Sequence, residues 1–304
     1  MIIETPHSKE CGVFLCILVR IEYFSNFREI IYMKYILLIL SFCVSFMQAQ
    51  VHKFIYQYKY KTDSLSNHYD EVKMILEVLP NTVKFYDEEY VRMDSINMKG
   101  EKVEGYTDAP MLERSRNSFN NISRVQLDFN TFTLASTDKI DWILANDTKM
   151  KDGYQLQKAT TKFGGRNWIA WFCKEVNIDE GPYKFRGLPG LIFEVEDTGH
   201  NFIFNLIKST NEKAAYNTAN FFETAYGKKL VPITLEKYQQ KLLETYNDPL
   251  QWARESFVEG KSQSAVMGIK ITKKEQFKEL SVKMQEKIRR EYNPIELDKA
   301  IKYN

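Results

Sequence analysis

Beyond residue 49 the chain has a single cysteine, Cys173, so no internal disulfide can form in that part and its stability must come from packing. Histidine is equally scarce there. His52, His68 and His200 stand apart, without the His-Glu-x-x-His or paired-cysteine spacing that holds a metal. No Gly-x-Ser-x-Gly elbow and no Gly-rich phosphate loop ending in Lys-Ser/Thr occurs. Charge of one sign is missing too: the net charge is +2, and residues 1–49 carry four basic and four acidic residues, so their removal leaves it at +2. That balance gives no footprint for nucleic acid and no pull toward an anionic membrane. There is also no apolar run long enough to cross a bilayer. Tyr35–Met47 is apolar over 13 residues, whereas about 20 are needed.

That short run has the order of a secretory signal: Lys34 before it, Ala49 as the small residue at its end. Residues 33–49 are therefore expected to be a signal peptide. Residues 1–32, with Arg20, Glu22, Arg28 and Glu29 among apolar residues, make a poor leader and are expected to be a mis-assigned extension upstream of a start at Met33. Cys43 follows Phe42, too bulky for a lipidation signal. The expected location is the periplasm or the outer membrane, with secretion as the further alternative, and no transmembrane segment is expected in the mature chain.

What the sequence has in quantity is aromatic residues in alternation. In Val51–Lys61 the rings of Phe54, Tyr56, Tyr58 and Tyr60 fall at every second position, which predicts a strand with one face on a core. Further strands are predicted at 74–79, 83–86, 123–128, 131–136, 140–144, 153–163, 166–173, 191–196 and 201–208. Gly164-Gly165 is expected to turn a tight hairpin. Residues 97–121 are polar and predict nothing definite. A helix capped by Thr234 is predicted over 235–246, with Leu235, Tyr238, Leu242 and Tyr246 on one stripe, and another over 273–292, with Phe277, Leu280, Met284 and Ile288. Both stripes are expected to pack on the sheet, and 255–268 is expected to be mobile. The predicted fold is mainly β, of the α+β class: a curved antiparallel sheet, partly open barrel or sandwich over 50–232, with a C-terminal helical segment, 233–304, on the same domain.

The least ordinary stretch is Gly181–Ile192, Gly-Pro-Tyr-Lys-Phe-Arg-Gly-Leu-Pro-Gly-Leu-Ile. Together with Phe163-Gly-Gly-Arg166, Ala170-Trp171, the Leu-Val-Pro-Ile-Thr at 230–234 and Asn293-Pro-Ile-Glu-Leu297, it resembles the GLPGLI family of exported Bacteroidota proteins. The resemblance implies an envelope protein and assigns no activity. Physically, Gly187, Leu188, Pro189, Gly190, Leu191 and Ile192 are read as a structural corner. Pro at the second and Gly at the third position of 188–191 predict a type II turn that places Leu191, Phe193 and Val195 on one face.

Catalytic candidates are few. Cys173 with His200 could pair as nucleophile and base, and Glu194 with Glu196 as acid and base. A buried strand cysteine and two solvent-side carboxylates are the plainer readings, so no catalytic residue is assigned. The aromatic cluster from Trp168 to Phe204 suggests an apolar concavity. Arg166, Trp171, Tyr183, Phe185 and Phe193 are the candidate ligand-binding residues, with no metal and no cofactor implied. The expected ligand is an apolar small molecule or lipid, in a fold that looks in outline like the lipoprotein carriers of Gram-negative envelopes. The alternative is an interaction protein docking on an outer-membrane partner through the 187–192 hairpin or the 255–268 loop, and a hydrolase comes third.

Overall fold

The computed structural model describes residues 51–303 except 104, 106, 128, 129 and 260–264. The expected extension and signal peptide lie outside the described residues. Among the described residues no helix is long and apolar enough to cross a membrane.

Two successive meanders build the sheet. The first runs outward through β1 (Val51–Tyr60), β2 (Asp70–Val78), β3 (Thr82–Asp87), β4 (Met111–Ser115), β5 (Asn120–Leu127) and β6 (Asn130–Thr137). The second starts at the far edge and runs inward through β7 (Ile143–Lys151), β8 (Tyr154–Phe163), β9 (Arg166–Cys173), β10 (Leu191–Asp197) and β11 (Phe202–Glu212). β11 then pairs antiparallel with β1 and closes the two meanders into one sheet. β12 (Thr224–Ala225) and β13 (Lys228–Lys229) form a separate small hairpin. β14 (Val231–Pro232) adds a twelfth strand to the main sheet, parallel to β6, so the sheet is mixed and not purely antiparallel as expected.

The chain itself shows that the sheet is rolled. β6 and β7 stand second and twelfth in the strand order, about 50 Å apart if the sheet were flat. Yet only residues 138–142 join them, and such a link reaches at most about 20 Å. The two margins must therefore curl toward each other, although β6 and β7 do not pair and the sheet stays open.

The concave side holds the main core: Phe54, Tyr56 and Tyr58 from β1, Met74, Leu76 and Val78 from β2, and Trp168, Phe172 and Phe204 from the second meander. A smaller core, with Ile75, Tyr86, Tyr90, Met93, Met111, Phe221 and Phe222, covers the opposite face. Its cover is α1 (Glu88–Asn97), capped by Asp87, and a helical turn at Ala219–Glu223. Burial on both faces explains why Met74–Leu76 is a continuous apolar run and does not alternate.

The C-terminal part contains α2 (Leu235–Asn247), α3 (Gln251–Ser256), β15 (Ala265–Val266), β16 (Ile269–Lys270) and α4 (Gln276–Arg290). Thr234 caps α2 as expected, its hydroxyl accepting from Lys237 N at 3.3 Å. The α4 stripe corrects the expectation of packing on the sheet. Phe277, Leu280 and Met284 gather with Leu250, Ala253, Phe257, Val266 and Ile271 into a third small core. The 255–268 stretch likewise contributes the buried Phe257 and Val266, and is not simply a polar loop. Two further expectations shift. The strand expected at 140–144 begins at Ile143, leaving Ile140 buried in the link, and Met111–Ser115 forms a strand inside the region that predicted nothing.

Candidate functional site

Between β9 and β10, which meet at Cys173 and Leu191, the chain leaves the sheet and returns as a loop over 174–190. Loops normally lie on the surface because buried backbone needs partners. Here Gly181–Arg186 are all buried, and the loop fills the concave side of the sheet as a plug. Its backbone is satisfied internally: Gly187 N donates to Asp179 O at 2.9 Å, Leu191 N to Val176 O at 3.1 Å and Ile192 N to Glu180 O at 3.1 Å. From outside, Arg114 Nη1 donates to Tyr183 O (2.8 Å), Trp142 Nε1 to Arg186 O (2.9 Å) and Tyr56 OH to Ile192 O (2.6 Å). Glu180, fully buried, is held by Arg114 Nη2 at 2.5 Å and Arg186 Nε at 3.3 Å, while Arg186 Nη2 reaches Asp179 at 2.7 Å.

The corner at the end of the plug is tighter than the type II turn expected. Gly190 N donates to Leu188 O at 2.8 Å, and Leu191 N is committed to Val176. Gly190 has φ +141°, and a Cβ there would lie 2.0 Å from Cys173 O, so no side chain fits. A bulge between Ile192 and Glu194 then resets the strand, which is why Ile192 joins Leu191, Phe193 and Val195 in the core, contrary to simple alternation.

The C-terminal tail is clasped to this assembly. Arg166 donates to Asn293 Oδ1 (2.7 Å), Pro294 O (2.8 Å) and Ile295 O (3.2 Å), and lies 3.3 Å from Asp197. Leu297 N donates to Gly164 O at 2.6 Å, with Glu296 stacked on the Gly164-Gly165 turn, where both glycines have positive φ. Glu296 also accepts from Tyr183 OH and from Lys184 Nζ (2.6 Å). Thus the Gly-Gly-Arg, plug and Asn-Pro-Ile-Glu segments, far apart in sequence, meet in space.

Beside this clasp lies a cavity of about 520 Å³, within the range of small-molecule sites. One wall is the margin of the sheet: residues 107–111 leading into β4, the end of β5 (Ser123–Gln126) and Thr131 with Leu134–Ser136 of β6. The facing wall is α2, through Leu235, Tyr238, Gln239 and Leu242, and the tail, through Tyr292, Ile295, Glu296 and Tyr303. Phe221, Tyr90 and Tyr226 close one side, and Tyr183 and Lys184 of the plug close the other.

Lys184, Lys299 and Glu296 line it, and together with the buried Asp138 beside them they neutralise one another: Lys184 Nζ is 3.0 Å from Asp138 and 2.6 Å from Glu296, and Lys299 Nζ is 2.9 Å from Asp138. Burial raises the Asp138 pKa, but the two lysines and Ser136 outweigh it and bring it down to about 2. The tyrosines are held protonated. Burial, then the Glu296 charge, pushes Tyr183 well up, and burial raises Tyr90, Tyr238 and Tyr292 and takes Tyr303 to about 12. Around the paired charges the wall therefore presents aromatic faces, neutral hydroxyls and the guanidinium of Arg124.

Of the five residues singled out in the sequence, Tyr183 lines this cavity. Phe185 is fully buried against Trp168, ring centroids 4.6 Å apart, and Phe193 is buried beneath Tyr154. Trp171 is half-buried under Lys149 Nζ, 4.4 Å from its ring, and Arg166 grips the tail. Arg124, Tyr238 and Leu242 line the cavity and were not singled out; the α2 stripe was the only signal pointing to the last two.

The catalytic pairs are not assembled. Cys173 is buried at one end of the β9–β10 ladder, and His200 is exposed beyond the other, about 20 Å along the strand. Glu194 is tied to Lys149 and, at 2.8 Å, to Lys151, and Glu196 to His200.

Residues 131–194 match the family described as "Protein of unknown function (Porph_ging)". That span includes the 187–192 hexapeptide and covers the plug, the second meander's outer strands and part of the cavity wall. The match does not bear the GLPGLI name, which stays a resemblance. No curated protein matches the chain. Among solved structures it is similar to PNGF-II in space group C2, with TM-score 0.48, 15% identity, 65% of this chain and 34% of that one. It is also similar to PNGF-II in space group P21, with TM-score 0.47, 16% identity, 63% and 33%. The chain thus spans about a third of the length of those structures.

Proposed function

We propose that the protein is a binding protein for an apolar or lipid-like small molecule of the cell envelope, exported by its signal peptide to the periplasm or the outer membrane. The observation that carries this is the cavity between the sheet margin and α2. Val125, Leu134, Leu235, Leu242 and Ile295 supply apolar surface, tyrosines supply ring faces, and the lysines and carboxylates at its floor are paired with each other. An apolar concavity with few convergent polar groups suits binding better than acid–base chemistry. Tyr183, a candidate from the aromatic cluster, lines the cavity and supports this reading. The reading is tested by native mass spectrometry of protein purified from a periplasm without detergent. A discrete added mass, absent from a Leu134→Trp variant with unchanged thermal midpoint, is expected. A clean apo mass together with no uptake of added apolar probes would overturn the reading.

A second reading, docking on an envelope partner, is favoured by the outer strand. Among the described residues β7 pairs only with β8, and Ile143, Leu144 and Met150 are exposed along it. The apolar side chains of the hexapeptide, Leu188, Leu191 and Ile192, are buried and offer no such surface. Photo-cross-linking from position 143 in intact envelopes that captures no specific partner would remove this reading.

A further inference from the structure

Arg124 lines the cavity near the end of β5, in register with Met111 of β4. Its Nε and Nη1 are buried and have no hydrogen-bond partner among the described residues. Nη2, for which no hydrogen bond is seen among the described residues either, is not sealed off in that way. The guanidinium carbon sits over the Phe222 ring, 3.9 Å from its centroid. The ring is attractive to a cation, but it leaves the donors unmet, and unmet buried donors on a charged group are costly. The carboxylates whose fields reach Arg124, Glu113 and Glu223, do not pair with it, and Glu223 is taken by Lys84 at 2.6 Å. Burial lowers the Arg124 pKa to about 10, which leaves it cationic at neutral pH. The other cations of the cavity, Lys184 and Lys299, are spent on Asp138 and Glu296. Asp108, the remaining lining carboxylate, is exposed.

We infer that Arg124 is the head-group site of this cavity, and that the molecule bound is an anion, a carboxylate or phosphate monoester, carried on an apolar chain. The inference rests on reading the cavity as the binding site and adds the charge of what enters it. A head group at Arg124 meets a guanidinium seated over a ring, while the chain runs along the tyrosine and leucine wall toward Tyr238 and Leu242. A charge-assisted contact at a sheltered arginine is among the stronger hydrogen bonds available to a ligand.

Isothermal titration of the full chain with decanoate, decyl phosphate, methyl decanoate and acetate tests this. Decanoate and decyl phosphate are expected to bind roughly ten- to a hundredfold tighter than the methyl ester, and acetate is expected not to bind detectably. Arg124→Gln is expected to lower both anions to the level of the ester, and Arg124→Lys to retain part of the preference. If the glutamine variant does not fold, the wild-type comparison of anion with ester and the lysine variant decide. Equal affinity for anion and ester in the wild type would overturn the inference and leave the cavity reading standing. Acetate binding as tightly as decanoate would overturn it as well. Binding of none of the chain-bearing probes would remove the cavity reading, and the inference with it.

Discussion

Arg114 and Arg124 sit on neighbouring strands and fare differently. Arg114 points into the plugged interior, where the Tyr183 carbonyl takes Nη1 and Glu180 takes Nη2, leaving only its Nε unmet among the described residues. Arg124 reaches the cavity at the sheet margin, where it meets an aromatic ring and, among the described residues, no acceptor. The plugged region is closed by its own charges: Glu180 is shared by two arginines, and the Tyr183 and Arg186 carbonyls of the loop find side-chain donors. Among the described residues, the margin keeps the Arg124 cation unspent beside an open volume. The first arrangement fixes a fold, and the second leaves a group for something else to complete.

The contrast can be broken from either side. The largest effect is expected at the corner that seats the plug. Gly190→Val drives a side chain into the Cys173 carbonyl at a φ that only glycine tolerates, and loss of folded protein, read by circular dichroism and size-exclusion chromatography, is expected. Glu180→Gln leaves Arg114 and Arg186 without their shared carboxylate and is expected to cost about 3 kcal/mol in urea denaturation. Acidification acts next. The Asp138 pKa, held at about 2 when folded, lies below its value in the unfolded chain. The stability it contributes is therefore present above about pH 4 and lost as the pH falls toward 2, amounting to about 2 kcal/mol. Asp138→Asn is expected to flatten that part of a stability-against-pH curve. The smallest effect is at the margin. Arg124→Gln is expected to change stability by less than about 1 kcal/mol, because it gives up a ring contact but also a desolvated charge. A loss as large as that of Glu180→Gln would show that the two arginines do the same job.

Much of the sheet is written in local pattern. Alternating rings mark Val51–Tyr60, Gly164-Gly165 marks its hairpin, and the glycines around Pro189 mark a corner. What escaped has a physical cause in each case. Met111–Ser115 reads as polar because Arg114 is buried by pairing with a residue 66 positions away, which no local window contains. The plug stands out in sequence and its end reads as a corner, but its burial does not, since that depends on the roll of the whole sheet. The α4 stripe is a genuine apolar face, but its partners come from α3 and the β15–β16 hairpin. The aromatic cluster between Trp168 and Phe204 suggests a concavity, whereas Phe185 and Phe193 fill a packed core there and, of the five candidates, Tyr183 reaches the cavity. A single arginine in a short strand carries no pattern, so Arg124 becomes visible only when its missing partners can be counted.

The division into a filled interior and an open margin is tested most directly by methyl NMR with 13C-labelled methionine. Met111 lines the cavity, and Met74 is fully buried in the main core. Titration with decanoate is expected to shift the Met111 methyl saturably and to leave that of Met74 in place. A shift of Met74 with Met111 unmoved would put the binding volume inside the plugged sheet and contradict the account.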